Sequence, residues 1–287
     1  MSPSAVALKH PAERDLPERD LADPRKANAA PARRRRVDLF LVTGIAVALL
    51  ATVAGIALTG VKLVYFLQPT GALIVLGGTL GVTLITTPRH ALFNSARHVL
   101  SMIWTHEADR QEVVEEIMRY VKTARTKGLL AIEPQIPNVA DRFLRDALFH
   151  TLDVQQRGGL QALLETKMRL CERQGETDAK VLEVAGGFAP TIGVLGTVVG
   201  LIEVLRQFSN VSLVAAGVGT AFVSTIYGLA LANLILLPAA HRIRARVAET
   251  FELHELMIEG ALCLVEGIHP SLVRERLNSF LRDQRPE

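Results

Sequence analysis

Long apolar stretches alternate with strongly charged ones along the chain. Leu39 to Thr59, Pro69 to Thr87, Val184 to Leu205 and Leu213 to Ala240 hold no charged side chain apart from Glu203. A helix rises about 1.5 Å per residue, so about 20 apolar residues cross a hydrocarbon core of about 30 Å. The pattern predicts an all-α, polytopic membrane protein with four transmembrane helices. Pro69 opens the second stretch, where its missing N–H costs nothing in a first helical turn. The fourth stretch is longer than a span needs, which predicts tilt or extension beyond the bilayer. Between the second and third stretches, Glu112 to Thr126 and Arg142 to Leu152 repeat apolar positions at helical spacing. They predict a helical cytoplasmic domain between spans two and three.

Charge then orients the chain. About half of the 287 residues are hydrophobic (49%) and only 21% are charged, with the charges in clusters. Arg33 to Arg36 precede the first span, Arg89 and Arg97 follow the second, and Arg242, Arg244 and Arg246 follow the fourth. The opposite loops hold Lys62 and Arg206. Basic residues gather on the cytosolic side, so both termini and the middle segment are expected there. The expected layout is a disordered basic cytoplasmic tail (1–36), a first transmembrane hairpin (37–88), a cytoplasmic helical domain (89–180), a second hairpin (181–240) and a cytoplasmic C-terminal helical tail (241–287). A signal peptide would share the basic-then-apolar start. The first apolar run is long for that role, lacks a clear small-residue cleavage site and is followed by further runs.

The candidate chemistry is sparse. Cys171 and Cys263 stand far apart without metal or redox spacing, and both fall in segments expected in the cytosol, where a structural disulfide is not expected. There is no phosphate-binding Gly-Lys-Ser loop, nucleophile elbow or zinc signature, so neither an enzyme nor a bound cofactor is expected. The basic clusters flank apolar runs, which fits membrane topology rather than nucleic acid. Asn210-Val211-Ser212 matches a glycosylation triplet, a pattern common by chance. Inside the spans the one acid is Glu203, near the outer end of span three and one turn from Arg206, where a rim ion pair is expected. An ion transporter needs a group that binds and releases the ion within the membrane. Either this chain moves no ion, or a partner brings the carboxylate.

The spans carry three further patterns. Gly193, Gly196 and Gly200 share one face of span three, and Gly77 and Gly81 one face of span two. Small residues at that spacing allow close helix packing. Pro190 and Pro238 sit near the cytosolic ends of spans three and four, where each removes a backbone donor and can hinge its helix. Thr197, Ser224 and Thr225 supply hydroxyls that either bond to their own backbone or line an ion path.

Taken in order, Leu73-Ile74-Val75-Leu76-Gly77-Gly78-Thr79-Leu80-Gly81, Ala189-Pro190 with Gly193, Gly196-Thr197 and Gly200-Leu201, and Thr225-Ile226-Tyr227-Gly228 with Ala232-Asn233-Leu234 and Leu237-Pro238 resemble the MotA/PomA family of flagellar motor stator subunits. The resemblance covers roughly residues 37 to 280; the long basic N-terminus departs from it, and anchoring to anionic lipid is the one role expected of that segment. It implies a pentamer of such subunits in the bacterial inner membrane around MotB-like single-span, peptidoglycan-binding chains, which carry the ion-binding aspartate. It also implies a FliG-like rotor protein as the target of the cytoplasmic domain, with inward flow of H+ or Na+ as the drive. Pro190 and Pro238 match the family's torque-linked prolines, and Thr197 and Thr225 its pathway hydroxyls. In Arg125-Thr126-Lys127-Gly128-Leu129-Leu130-Ala131-Ile132-Glu133, Arg125 and Glu133 match its rotor-contact charges. An ExbB/TolQ-type energiser shares the glycine-rich spans but has three of them and usually starts outside. The coupling ion, and flagellar rotation against gliding, stay open at this level.

Overall fold

The computed structural model describes residues 36–282 except 38, 61–62, 103, 106–108, 155 and 207–208. The expected tail, 1–36, lies outside the described residues but for Arg36. The described chain is helical apart from one two-residue antiparallel pairing, β1 (Arg36–Val37) with β2 (Trp104–Thr105).

α1 (Leu39–Leu58) is a 20-residue apolar helix. The next apolar element starts with α2 (Pro69–Ala72), widens into a π turn at Leu73–Gly77 and continues as α3 (Gly78–Thr86). α4 (Arg89–Met102) leads to α5 (Arg110–Lys127), a 3-10 segment (Leu129–Asn138) and α6 (Arg142–Asp153). Local chemistry sets these boundaries. Asp109 accepts from the Gln111 N–H at 2.9 Å and Asp141 from the Leu144 N–H at 3.0 Å, each satisfying a first-turn donor. Gly128, at φ +88°, turns the chain out of α5, a conformation that a side chain disfavours.

Two long helices dominate. α7 (Arg157–Arg206) runs 50 residues without a break, about 75 Å. α8 (Val211–Ala230), a π turn at Leu231–Leu236 and α9 (Leu237–Glu266) form a second rod of 56 residues. The 180/181 and 240/241 domain boundaries expected from hydropathy therefore fall inside continuous helices. Hydropathy marks where the solvent changes, whereas helix hydrogen bonds continue wherever no cap or breaker interrupts them. Asn210 caps α8 by accepting from the Ser212 N–H at 3.2 Å and the Ser212 hydroxyl at 2.7 Å, a structural use for the apparent glycosylation triplet. Gly267, at φ +63°, closes α9, and α10 (Pro270–Arg282) follows.

Among the described residues, Pro69–Thr86, Arg157–Arg206 and Val211–Glu266 are long and apolar enough to cross a membrane. Their apolar portions are inside out relative to a soluble core. Leu80, Leu84, Val194, Val198, Leu201 and Phe222 are exposed, while Gly193, Gly196, Gly200, Gly217 and Gly228 are buried. A soluble protein would bury the large side chains instead.

The charged halves of the long helices join a core of the ordinary kind. Val113, Val114, Ile117, Met118 and Val121 recur at helical spacing on α5 and pack with Leu144 and Leu148 of α6, Leu256 and Met257 of α9 and Leu277 of α10. Gly260 admits Ile117, whose Cδ1 would lie 2.8 Å from a Cβ at that position. α7 is bound to α9 by Arg244, which meets Glu176 at 3.0 Å and holds Glu183 through both guanidinium nitrogens. Asp178 is fully buried; it accepts from Gln174 at 3.0 Å and lies 2.8 Å from His98 Nδ1.

Candidate functional site

The site is built where α7 and α8 touch backbone to backbone. A Cβ on Gly200 would lie 2.7 Å from Ala221 N, and one on Gly193 3.0 Å from Ser224 O. Gly196 opens onto the Ser224 side chain, 2.7 Å from such a Cβ. The tightest point is on the opposite helix: at Gly228 a Cβ would sit 2.6 Å from Ala189 O and 3.1 Å from the Gly193 Cα. Gly77 and Gly81, matched to this group by spacing, meet nothing within 4 Å in this chain.

This approach brings two of the three hydroxyls together. Thr197 lies 3.2 Å from Gly193 O, 3.1 Å from Ala221 O and against the Thr225 hydroxyl. Its one proton serves one acceptor at a time, so the pair retains free oxygen lone pairs. Ser224 turns away. Its hydroxyl donates to Thr220 O at 2.7 Å and faces α2, where a Cβ on Gly71 would lie 2.6 Å from it. Ser224 and Thr197 each reach the carbonyl one turn back in their own helix, and Thr197 and Thr225 also meet across the interface.

The two prolines come to neighbouring levels. α7 runs through Pro190 without interruption. Pro238 occupies the first turn of α9, directly after the π turn. Gly186, one turn before Pro190, packs against Leu237, with a Cβ there 2.8 Å from the Leu237 Cδ2. Both helices therefore carry a weakened hydrogen-bond ladder at one crossing.

Arg125 and Glu133 flank the Gly128 turn and are exposed. Arg125 donates to Gly267 O at 3.2 Å, so it also reads the carbonyl end of α9. Glu133 borders a pocket of about 360 Å³ with Pro134, Pro137 and Phe149. Phe149, which lines it, is 55% exposed, an apolar component that charge-pattern reasoning missed. Glu203 and Arg206 lie exposed in the last turn of α7. Among the described residues, no cluster of His, Cys, Asp and Glu could hold a metal ion.

Long apolar helices and a glycine-lined helix interface that holds a hydroxyl pair define a helical membrane protein. Residues 135–255 match the MotA/TolQ/ExbB proton channel family. The chain is 28% identical over 249 residues to Motility protein A of Bacillus subtilis (strain 168), covering 85% of this chain and 91% of that protein. It superposes on the structure of the flagellar MotAB stator complex from Bacillus subtilis with a TM-score of 0.77 at 27% identity, over 85% of this chain and 96% of that one. A structure of C. jejuni MotAB shows the same fold, with a TM-score of 0.80 at 22% identity over 87% and 98% of the two chains.

Proposed function

We propose that this chain is the membrane-embedded stator subunit of a bacterial flagellar motor, which with a MotB-like single-span partner couples inward ion flow to rotor rotation. The observation that carries this reading is the Thr197–Thr225 hydroxyl pair at a glycine-lined helix interface that lacks its own carboxylate, in a chain related along most of its length to Motility protein A. A partner aspartate then supplies the group that takes and releases the ion. α1 serves as a fourth span, and both termini and the α5–α6 domain face the cytosol, as the basic clusters favour. Five copies around a pair of partners is the assembly that the resemblance implies. One charge crossing about 100 mV releases about 2.3 kcal/mol, enough to bias a conformational step. The long rods of α7 and α8–α9 carry that step to the domain that bears Arg125 and Glu133.

The test is motility of a stator-deleted host supplied with this chain and its partner, with sodium varied at fixed voltage. Rotation is expected only with both proteins. It should cease when the partner's membrane aspartate becomes asparagine, and ion flux through this chain alone would refute the reading. Speed that follows sodium rather than pH identifies the ion.

Topology has its own check. Cys171 is exposed, whereas Cys263 is buried and its thiol is pushed up to about 11 by that burial, so only Cys171 should react. In spheroplasts a membrane-permeant maleimide is expected to label Cys171 and an impermeant one to leave it untouched. Labelling by the impermeant reagent would put the middle domain outside.

Charge reversal at Arg125 or Glu133 is expected to cut motor torque several-fold while membrane levels and complex assembly stay normal. Exposed charges contribute little to folding, so lost assembly is not anticipated. Wild-type torque in both variants would remove the rotor-contact role.

A further inference from the structure

Past the proline crossing, α7 and α9 run side by side toward the helical domain. Gly186 meets Leu237 at the crossing. Ala179 is then buried with Ile243, and a Cβ on Gly175 would lie 2.3 Å from Val247 Cγ2. Further along, Leu160, Leu164 and Met168 join Ile258 and Leu262 in a fuller core. Between the crossing and that core the apolar seam is thin. Ala179 and Ile243 are its buried pair, with Leu182 and Val247 partly buried. Beside it lies a cavity of about 550 Å³ bordered by Met168, Gly175, Ile243, Val247 and Phe251. Apolar burial has no direction, so so small a seam sets the spacing of the two rods better than their position along one another.

Arg244 supplies the direction. Glu176 and Glu183 stand seven residues apart on α7, two turns or about 10 Å along the axis. The Arg244 Nε donates to Glu176 at 3.0 Å, while Nη1 and Nη2 donate to the two oxygens of Glu183, Nη2 at 2.8 Å. One guanidinium on α9 is thus held by carboxylates displaced from each other along α7. Sliding α9 either way stretches the contact to one of them. A planar fork can hold both at once, which the point charge of a lysine cannot. The three side chains are 29% to 45% exposed, so the cluster adds little to folding.

We propose that Arg244 is a positioning residue for torque transmission, locking α9 to α7 against axial sliding between the Pro190–Pro238 crossing and the helical core. This rests on the stator reading. A step that begins at the Thr197–Thr225 pair passes the crossing on two rods, both of which continue into the domain that bears Arg125 and Glu133. With the lock closed the rods move as one arm. With it open, α9 slips along α7 and the step dissipates in the thin seam. Ion flow then continues without its full mechanical output.

The experiment measures two outputs of the complex of this chain with its partner: stall torque by bead assay in a stator-deleted host, and ion flux after reconstitution. Arg244→Gln is expected to cut stall torque about five-fold, because a neutral amide replaces three charge-assisted bonds. Flux per complex and thermal midpoint should stay near wild type. Arg244→Lys keeps the positive charge that favours the cytosolic side and should still lose torque. Glu183→Gln should lose torque as well, and the double variant with Arg244→Gln should be no worse than Arg244→Gln alone, since both act through one contact. Wild-type torque in Arg244→Gln or Arg244→Lys overturns the proposal. So do additive losses in the double variant, and a torque loss that merely tracks flux, membrane level or thermal midpoint. If the wild-type complex neither rotates nor conducts, the stator reading fails and this role with it; a working wild-type complex with full torque in Arg244→Gln removes only the role of Arg244.

Discussion

Replacing Gly228 by alanine is expected to destabilise the α7–α8 interface more than alanine at Gly193 on the facing helix. The added methyl would lie 2.6 Å from Ala189 O and 3.1 Å from the Gly193 Cα, both backbone atoms, so no side chain can swing aside. The helices must part, which separates Thr197 from Thr225 and opens a packed seam. Overpacking of this kind costs about 1–3 kcal/mol, against which the better helix propensity of alanine returns about 1 kcal/mol at most. At Gly193 the nearest atom, Ser224 O, would be 3.0 Å away, a contact that a shift of a few tenths of an ångström relieves. The measurement is the thermal midpoint of the purified protein in detergent, with Gly187→Ala as control, since a Cβ there meets nothing within 4 Å. A Gly228→Ala midpoint equal to that of the control would mean the helices are not in backbone contact.

Pro238→Ala is expected to stop or greatly slow rotation while insertion, assembly and thermal midpoint stay near wild type. The reason lies in the ladder around it. Proline offers no N–H to the carbonyl one turn earlier, and the preceding six residues, Leu231–Leu236, already run as a π turn. Alanine restores the donor and lets the segment relax toward a uniform α-helix. That gains local stability and removes the compliant point between α8, which carries Thr225 of the hydroxyl pair, and α9, which enters the core built with α5 and α6. Pro190→Ala should act in the same direction, because Gly186 and Leu237 bring the two weakened ladders together. Torque at stall, measured by bead assay, is the readout. Normal torque in the double variant would show that both prolines are incidental.

Some of this was legible in the sequence because it is local. Hydropathy over about 20 residues fixes where a helix meets lipid, since every backbone group there must be satisfied within the segment. The apolar stripe of α5, its Asp109 cap and the Gly128 turn follow from neighbours in the chain. The ordered motifs around Pro190, Gly196-Thr197 and Pro238 were enough to suggest the family. Helix continuity was less legible. The apolar stretch at Val184 begins inside α7, 27 residues after Arg157, and nothing in a hydropathy pattern distinguishes a helix that enters the membrane from one that starts there.

What the sequence determined by itself is the helical class, the apolar segments and the lack of an acid deep within them, all properties of residues read singly or with near neighbours. What only the tertiary structure decided is which small and polar residues face one another: Gly228 against Ala189, Thr197 against Thr225 but not Ser224, Tyr227 and Thr220 around Gln68. These partners lie 28 to about 160 residues apart in the chain. Their pairing depends on the rotation of one helix about another, which close backbone packing fixes and no periodicity records.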